Sequence, residues 1–197
     1  MIKRAGWQVD DPETVFENPW MTVRRWVGSR PDGNPGEYGV MSPKAFAIGV
    51  IPVFTDGTIM LVGQPRFALD NYSWEIPEGG SPKSAPPIEG AKRELKEETG
   101  LTAKNWNEIM QAEVSNSLTD EEAFGYLAWD LTQGIQELDG TEEIELRREP
   151  FLKAVEMAVS GEIRDLFSVA MILKAHYMAL NGALDANLSA ALLDRKS

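Results

Sequence analysis

The first half of the chain alternates short apolar runs with clusters of turn-forming residues, which predicts strands. Residues 21–27 are rich in β-branched and aromatic side chains, and residues 30–36 are dense in Pro, Gly, Asn and Asp. Residues 45–54 indicate a largely buried strand. Because Asp56-Gly57 follows and residues 58–62 return, we expect these two strands to form a hairpin. Further strands are predicted over residues 72–76, 106–114, 123–131 and 143–147.

The apolar spacing becomes that of a helix after residue 86. Ile88, Ala91 and Leu95 lie three and four apart, as one buried helix face requires, so a helix is predicted over residues 86–98. Gly100 follows its last turn, in the position that favours a helix stop. Because strands and helices mix without regular βαβ alternation, the predicted class is α+β, a mixed β-sheet sandwich flanked by helices. Later helices are expected over residues 150–160 and 165–180 and from residue 184, separated by Gly161 and Gly182.

The length of 197 residues suits one domain with modest extensions. The pattern divides the chain into an N-terminal antiparallel strand extension over residues 1–42, a main domain over 43–182 and a C-terminal helical tail over 183–197. Hydrophobic residues make up 43% and charged residues 25%, values typical of globular proteins. Disorder is therefore not the expected dominant state.

The chain is strongly acidic, with 19 Lys and Arg against 31 Asp and Glu and a net charge of −12. Such a surface repels phosphate backbones, which argues against broad nucleic-acid binding, although a small anion can bind where cations are recruited locally. The absence of cysteine excludes disulfides and thiolate metal sites and fits the cytoplasm, the expected location. The N-terminus has no apolar signal-peptide core, and no run of 18 apolar residues predicts a membrane helix.

The predicted helix carries three glutamates on one face. Glu94, Glu97 and Glu98 fall within about 100° of one another around the helix axis, where like charges repel. One interpretation is an ordinary solvated face. The other is a site for a hard cation, because Mg²⁺ prefers carboxylate oxygens together with the phosphate oxygens of a substrate. Mg²⁺ is the expected ion, and Mn²⁺ is the alternative.

The spacing around these glutamates resembles the signature of the Nudix hydrolases, G-x5-E-x7-R-E-U-x-E-E-x-G-U, in which U is aliphatic. Eight of the nine fixed positions agree, at Gly79, Arg93, Glu94, Leu95, Glu97, Glu98, Gly100 and Leu101. The resemblance implies that Glu94 and Glu98 hold the metal ions with Glu97 as a shared or outer ligand. It also implies structural roles for Gly79, Arg93 and Gly100.

One signature position departs, since Ala85 stands where the family has its first glutamate. In the family that glutamate usually pairs with the signature arginine and so braces the loop before the helix. Two interpretations stay open. Either the loop is held another way, with Glu89 pairing with Arg93, and activity survives, or the loop is loosened and activity is weak or lost.

The residues before the signature resemble the ADP-ribose pyrophosphatase branch of this family, in which a Q-x-R segment is followed by E-x-P-x-G. Arg66 and Glu75 occupy the corresponding positions, and the resemblance implies that both contact substrate. It also implies that Glu78 offers its backbone carbonyl, rather than its side chain, to the metal. Without the resemblance, the alternative interpretation of Arg66 is an ordinary surface arginine, which is the less favoured of the two. Trp74 fits either a core residue, the favoured interpretation, or a wall of the substrate pocket.

Two polar segments follow the signature. Residues 115–122 resemble a substrate-side loop of the branch, although a plain solvated turn explains them equally well. The acidic residues Glu142 and Glu143 stand where the branch places its catalytic base or a further metal ligand, and we favour Glu142. Such a carboxylate must lie within hydrogen-bond reach of the attacking water. The single histidine, His176, is expected to be structural.

The resemblance implies Mg²⁺-dependent hydrolysis of a nucleoside diphosphate linked to another group, with ADP-ribose giving AMP and ribose 5-phosphate. The alternatives are a nucleotide sugar, a dinucleoside polyphosphate or a capped RNA as substrate. A further alternative is a catalytically weak nucleotide sensor, which Ala85 alone supports. A homodimer is also expected, because related enzymes dimerise through such N-terminal strands. Trp7, Trp20 and Trp26 are the candidates for stacking on a base bound by the other chain.

Overall fold

The fold was analysed in a computed structural model that describes residues 1–138 and 143–194. Twelve strands and four helices are described in these two ranges. In chain order they are β1 (Ile2–Arg4), β2 (Trp7–Val9), β3 (Glu13–Glu17), β4 (Met21–Ser29), β5 (Pro35–Pro43), β6 (Ala45–Pro52), β7 (Thr58–Arg66), β8 (Asn71–Glu75), β9 (Glu78–Pro82), α1 (Pro87–Thr99), β10 (Leu101–Val114), β11 (Glu121–Gln133), β12 (Glu145–Pro150), α2 (Phe151–Ser160), α3 (Leu166–Leu180) and α4 (Ala186–Leu193).

The chain forms two compact units, and the first combines Met1–Phe46 with Ala112–Glu122. Its sheet has the strand order β1-β2-β4-β3, with β5 also paired to β4, and these pairings are antiparallel. A small core of Val9, Trp26 and Val40 lies on this sheet. The antiparallel N-terminal strands are therefore present as predicted, whereas their grouping with Ala112–Glu122 has no signal in the sequence.

The tryptophans of the first unit differ in exposure. Trp26 is 8% exposed, and the partly buried Trp7 packs edge-on against Tyr38 with ring centroids 5.8 Å apart, while both tryptophans line a cavity of about 250 Å³ in this unit. Trp20 is 75% exposed. Of the three candidates for base stacking, Trp20 is therefore the most exposed, whereas Trp7 and Trp26 line a cavity.

The second unit, Ala47–Gln111 with Ala123–Ser197, contains two sheets. One has the order β10-β11-β6-β9, in which β6 and β11 run parallel, and the other has the order β12-β7-β8 with antiparallel pairs. The predicted hairpin of β6 with β7 is wrong. These strands lie in different sheets and share a single bridge, Val53 to Ile59, because β11 pairs with β6 while β12 and β8 occupy both edges of β7.

The helices follow the predicted positions closely. α1 covers Pro87–Thr99, within one residue of the prediction at each end, and Gly100 ends it with φ +70° while its N–H donates to the carbonyl of Lys96. A left-handed φ of this kind is one that glycine adopts without a steric penalty. The α+β class with mixed sheets is confirmed.

The core of the second unit lies between the sheets and the last three helices. Ile51, Leu61 and Leu127 from the strands are fully buried and pack in one cluster with α2, α3 and α4. Leu188 and Leu192 of α4 belong to the same cluster, so the last helix packs on this core. No helix in the described residues is long and apolar enough to span a membrane.

A buried hydrogen bond ties α3 to the segment before the signature. The N–H of Ile76 donates to Oγ of Ser168 over 3.0 Å, and Ser168 is fully buried. The N–H of Ser168 in turn donates to the N-cap carboxylate of Asp165 over 2.6 Å. The start of α3 thereby fixes the backbone that leads into Glu78 and Gly79.

Ser168→Ala is expected to lower the free energy of unfolding by about 1–3 kcal/mol, because it leaves the buried N–H of Ile76 without an acceptor. Urea unfolding followed by circular dichroism measures this change. Ser189→Ala is the matched control, because the buried Oγ of Ser189 has no hydrogen-bond partner, and it should change stability by less than about 0.5 kcal/mol. Equal effects of the two substitutions would contradict the role given to Ser168.

Candidate active site

The three signature glutamates of α1, Glu94, Glu97 and Glu98, have unequal environments. Glu94 and Glu98 are buried, at 7% and 3% exposure, whereas the side chain of Glu97 is 33% exposed. Oε2 of Glu98 accepts a hydrogen bond from the N–H of Glu78 over 2.9 Å. Spacing of four residues places Glu94 and Glu98 one turn apart on one face, and that face is turned towards β9. The structure therefore brings the predicted carboxylates together with the segment at Glu78.

Gly79 allows the close approach of this segment to α1. A Cβ atom at Gly79 would lie 2.3–2.4 Å from the carboxyl carbon and both oxygens of Glu94. The backbone φ of Gly79 is not in the left-handed region, so the reason for glycine here is space and not conformation. The Glu94 carboxylate therefore lies directly against the backbone of the loop.

Arg93 braces the loop that Ala85 leaves without the usual glutamate. Its Nη2 donates to the carbonyl of Gly80 over 2.5 Å, and the same guanidinium pairs with Glu94 and Glu97. The expected pair of Glu89 with Arg93 is wrong. Glu89 instead pairs with Lys92 over 2.7 Å on the exposed side of α1. The hydrogen bond from Arg93 to the carbonyl of Gly80 thus holds the loop, without the glutamate that the family has at position 85.

Arg66 lies in a carboxylate clamp. Its Nε donates to both oxygens of Glu75 over 3.0 and 3.1 Å, and its Nη2 donates to Glu75 and, over 2.8 Å, to Oε1 of Glu78. Glu75 is 2% exposed, so the clamp fixes the guanidinium plane. Nη1 makes no hydrogen bond to any described residue and is the edge of Arg66 left for a ligand.

Glu78 is a buried carboxyl of the site with a raised pKa. Burial raises its pKa well above the ordinary value, the charges of Asp165 and Glu75 raise it further, and Arg66 opposes them. Its Oε1 accepts from Arg66, while its Oε2 is buried and has no hydrogen-bond partner. The side chain of Glu78 thus belongs to the site, in addition to the backbone carbonyl that the sequence motif indicated.

A cavity of about 470 Å³ adjoins this clamp. Arg66, Glu75 and Glu78 line it, and their substrate-binding and metal-side roles stay predictions. The wall also includes residues that the sequence did not single out, among them Asn71, Tyr72, Arg164 and Asp165. Arg164 follows α2 in a short interhelical loop, is exposed and makes no ion pair with any described residue. No local pattern marks it, because only the fold brings that loop to the cavity.

The other residues singled out in the sequence do not line this cavity among the described residues. Trp74 packs against the core, contacts Tyr72 edge-on and lies under the guanidinium of Arg147, which agrees with its favoured interpretation as a core residue. Glu143 is exposed, two residues before β12. Glu142 lies outside the described residues. His176 faces the buried Phe151 ring with centroids 6.3 Å apart.

The NUDIX domain family model matches residues 43–166, more than half of the chain. This chain belongs to the Nudix family. Among curated relatives, an ADP-ribose pyrophosphatase of Bacillus subtilis (strain 168) is 34% identical over 142 residues, which cover 71% of this chain and 75% of the relative. An ADP-ribose pyrophosphatase of Mycobacterium tuberculosis (strain ATCC 25618 / H37Rv) is 28% identical over 152 residues, 76% of this chain and 73% of that protein.

Two further matches bear on this Nudix protein. A CMP-5'-(N-acetyl-N-hydroxy-3-aminopropyl)phosphonate hydrolase of Streptomyces rubellomurinus (strain ATCC 31215) is 28% identical over 157 residues, 79% of this chain and 75% of the relative. The crystal structure of an ADP compounds hydrolase superposes with a TM-score of 0.79, covering 90% of this chain and 97% of the other, at 19% identity. At that identity the superposition establishes the shared fold.

Nudix hydrolases generally use divalent metal ions, and the residues of this site fit one. Glu94 and Glu98 are buried carboxylates, and Oε2 of Glu78 is a buried oxygen without a partner, so the donors are all hard oxygens of the kind Mg²⁺ prefers. Within residues 1–138 and 143–194 no three acidic or histidine side chains are already spaced as a metal site. In the same region Arg93 forms ion pairs with Glu94 and Glu97.

Proposed function

We propose that this Nudix protein hydrolyses ADP-ribose to AMP and ribose 5-phosphate, with Mg²⁺ as the ion. The observation that carries the proposal is the pair of buried glutamates, Glu94 and Glu98, set against the segment at Glu78 beside a cavity that contains Arg66. The two ADP-ribose pyrophosphatases among its relatives support the substrate.

Different glutamates of the chain bind the metal ion and accept the proton. Glu94 and Glu98 hold the ion, Glu97 is a shared or outer ligand, and the backbone carbonyl of Glu78 is a further ligand. When bound, a divalent cation neutralises the diphosphate and lowers the pKa of water. Glu142 or Glu143 accepts the proton of the attacking water.

The two arginines of the cavity have different parts. Arg66 presents Nη1 from a guanidinium that Glu75 holds in place, so it orients a phosphate oxygen or a sugar oxygen without losing much side-chain freedom on binding. Arg164 has no described ion pair, and we assign it the neutralisation of phosphate charge. A site with net acidic surroundings needs this local positive charge to hold a diphosphate.

A panel of diphosphates tests the reaction. The protein is incubated with Mg²⁺ or Mn²⁺ and with ADP-ribose, a nucleotide sugar, a dinucleoside polyphosphate, a capped RNA and a CMP-linked phosphonate, and products are separated by chromatography. The expected result is release of AMP from ADP-ribose at the highest kcat/KM. The phosphonate is included because one relative carries that activity in its name. Tight binding of ADP-ribose without turnover of any compound would overturn the proposal in favour of a sensor.

We also propose a homodimer formed through the first unit. Val15, Phe16 and Trp20 are exposed on β3 and the turn after it, at 49%, 49% and 75%, and a second copy of the chain would cover such side chains. Size-exclusion chromatography with light scattering measures the assembly. A monomer at micromolar concentration would remove this part of the proposal.

A further inference from the structure

The cavity beside Arg66 has three walls, all within the second unit. The turn before β8 and the first residues of β8 form one wall, Glu75 and Glu78 form the second, and residues of the loop from Glu162 to Leu166 form the third. The exposed side chains of Leu69, Tyr72 and Leu166 surround its opening. The exposed charged residues Glu162 and Arg164 line the cavity as well, while Glu75 and Glu78 are its buried carboxylates.

Two oxygen atoms of this cavity are buried acceptors without a donor. In the described parts of the chain only four buried side-chain nitrogen or oxygen atoms lack a hydrogen-bond partner, and two of them, Oδ1 of Asn71 and Oε2 of Glu78, belong to residues that line this one cavity. A buried acceptor left unpaired costs free energy, and folded proteins keep few of them. A cation bound at the site would take up Oε2 of Glu78, so Oδ1 of Asn71 is the acceptor that still needs a hydrogen-bond donor, which indicates that a ligand supplies it.

The chemistry of the donor follows from the atoms that need it. A carboxamide oxygen accepts from an O–H or N–H group, whereas phosphate oxygens are themselves acceptors and carry negative charge. The phosphates of a bound diphosphate therefore face Arg66 and Arg164, and a different part of the ligand must face Asn71. Sugar hydroxyls are the donors that a nucleoside diphosphate linked to a sugar carries on both sides of its phosphates.

We propose that Asn71 determines specificity by accepting, through Oδ1, a hydrogen bond from a sugar hydroxyl of the substrate. This inference rests on the proposed hydrolysis of a diphosphate that carries sugars. It goes beyond that reaction by assigning to Oδ1 of Asn71 the recognition of a sugar hydroxyl. Tyr72 supports the position of Asn71, because its hydroxyl donates to Glu145 over 3.0 Å and so ties the start of β8 to β12.

Asn71→Leu tests the proposal, because leucine has a similar volume and no acceptor. With ADP-ribose we expect kcat/KM to fall about tenfold, the usual loss when a neutral hydrogen bond to substrate is removed. The free energy of unfolding should stay unchanged or rise, since the substitution removes an unpaired buried acceptor. A loss of stability with unchanged kcat/KM would show a merely structural role and overturn the proposal. Asn71→Ala serves as the second variant if the leucine variant does not fold.

Two substrate analogues locate the hydroxyl. Methyl-ADP lacks the distal sugar, and the 2',3'-dideoxyadenosine form of ADP-ribose lacks the hydroxyls of the nucleoside. If Asn71 contacts the distal sugar, Asn71→Leu should leave kcat/KM unchanged with methyl-ADP and lower it with the other two compounds. If Asn71 contacts the nucleoside, the substitution should leave kcat/KM unchanged with the dideoxy compound and lower it with the other two. Either pattern supports the proposal, whereas an equal effect on all three compounds overturns it.

Binding without turnover separates this inference from the proposed reaction. Titration calorimetry with ADP-ribose in the absence of metal should show a Kd about tenfold weaker for Asn71→Leu than for the unmodified chain. Asn187→Ala, an exposed asparagine at the start of α4, is the control and should leave Kd unchanged. If the unmodified protein releases no AMP, the proposed reaction fails while calorimetry still decides the role of Asn71. Equal Kd values for the unmodified protein and Asn71→Leu would overturn that role.

Discussion

Glu98→Gln is expected to lower kcat/KM for ADP-ribose by about 100-fold or more, because we propose its carboxylate as a direct ligand of the cation. Substitutions that only touch the partners of metal ligands already cost 10- to 100-fold in comparable sites. Glutamine retains an oxygen that can accept from the N–H of Glu78, so the fold around this contact is kept while one negative charge is lost. Initial rates at saturating and limiting Mg²⁺ measure the effect.

The matched control is Glu89→Gln on the same helix. Glu89 pairs with Lys92 on the exposed face, so its loss should change kcat/KM by less than about twofold. Thermal unfolding of both variants tests whether the helix survives. A folded Glu98→Gln protein with the kinetics of the unmodified chain would remove Glu98 from the metal site.

Gly79→Ala is expected to lower kcat/KM by about 10- to 100-fold through a steric effect on Glu94. The new methyl group would lie 2.3–2.4 Å from the Glu94 carboxylate, so either that carboxylate or the loop must move. A displacement of about 1 Å in a reacting assembly costs rate on this scale. The same kinetic assay measures it, with the Mg²⁺ concentration for half-maximal rate as a second readout that should rise.

Gly39→Ala provides the comparison for this steric argument. Gly39 lies in β5, its φ is not left-handed, and a Cβ there would meet nothing within 4 Å. This substitution should leave activity unchanged. If Gly79→Ala is as active as Gly39→Ala, the close contact between the loop and Glu94 has no part in catalysis.

Local patterns predicted the elements that local interactions determine. α1 was placed within one residue because its apolar spacing and the left-handed Gly100 both act within a few residues of the chain. The later helices were found for the same reason. The hairpin of β6 with β7 failed, because the choice of strand partner is a long-range property. β6 is buried along most of its length and pairs in parallel with β11, which lies more than 70 residues away.

The residues of the candidate site also fall into two groups, those that sequence motifs indicate and those that only the fold brings to the cavity. Motif matching singled out Glu94, Glu98, Arg66 and Glu75 as candidates, because each occupies a position of a short sequence motif. It did not identify Arg164 or Asn71, since their presence at the cavity depends on how a loop between two helices meets a turn between two strands. It also misassigned the partner of Arg93, because Glu89 and Gly80 both lie within reach and the folded loop selects the carbonyl of Gly80.

The sequence by itself determined the family, the α+β class and the row of carboxylates on one helix face. These properties rest on residue spacing, which the covalent chain carries into any structure it forms. The tertiary structure decided which carboxylates are buried, how Arg93 braces a loop that has Ala85, and which oxygens lie in the cavity without a partner. Burial and hydrogen bonding are set by atoms far apart in the chain, so they became defined only when the sheets, α1 and α3 had packed together.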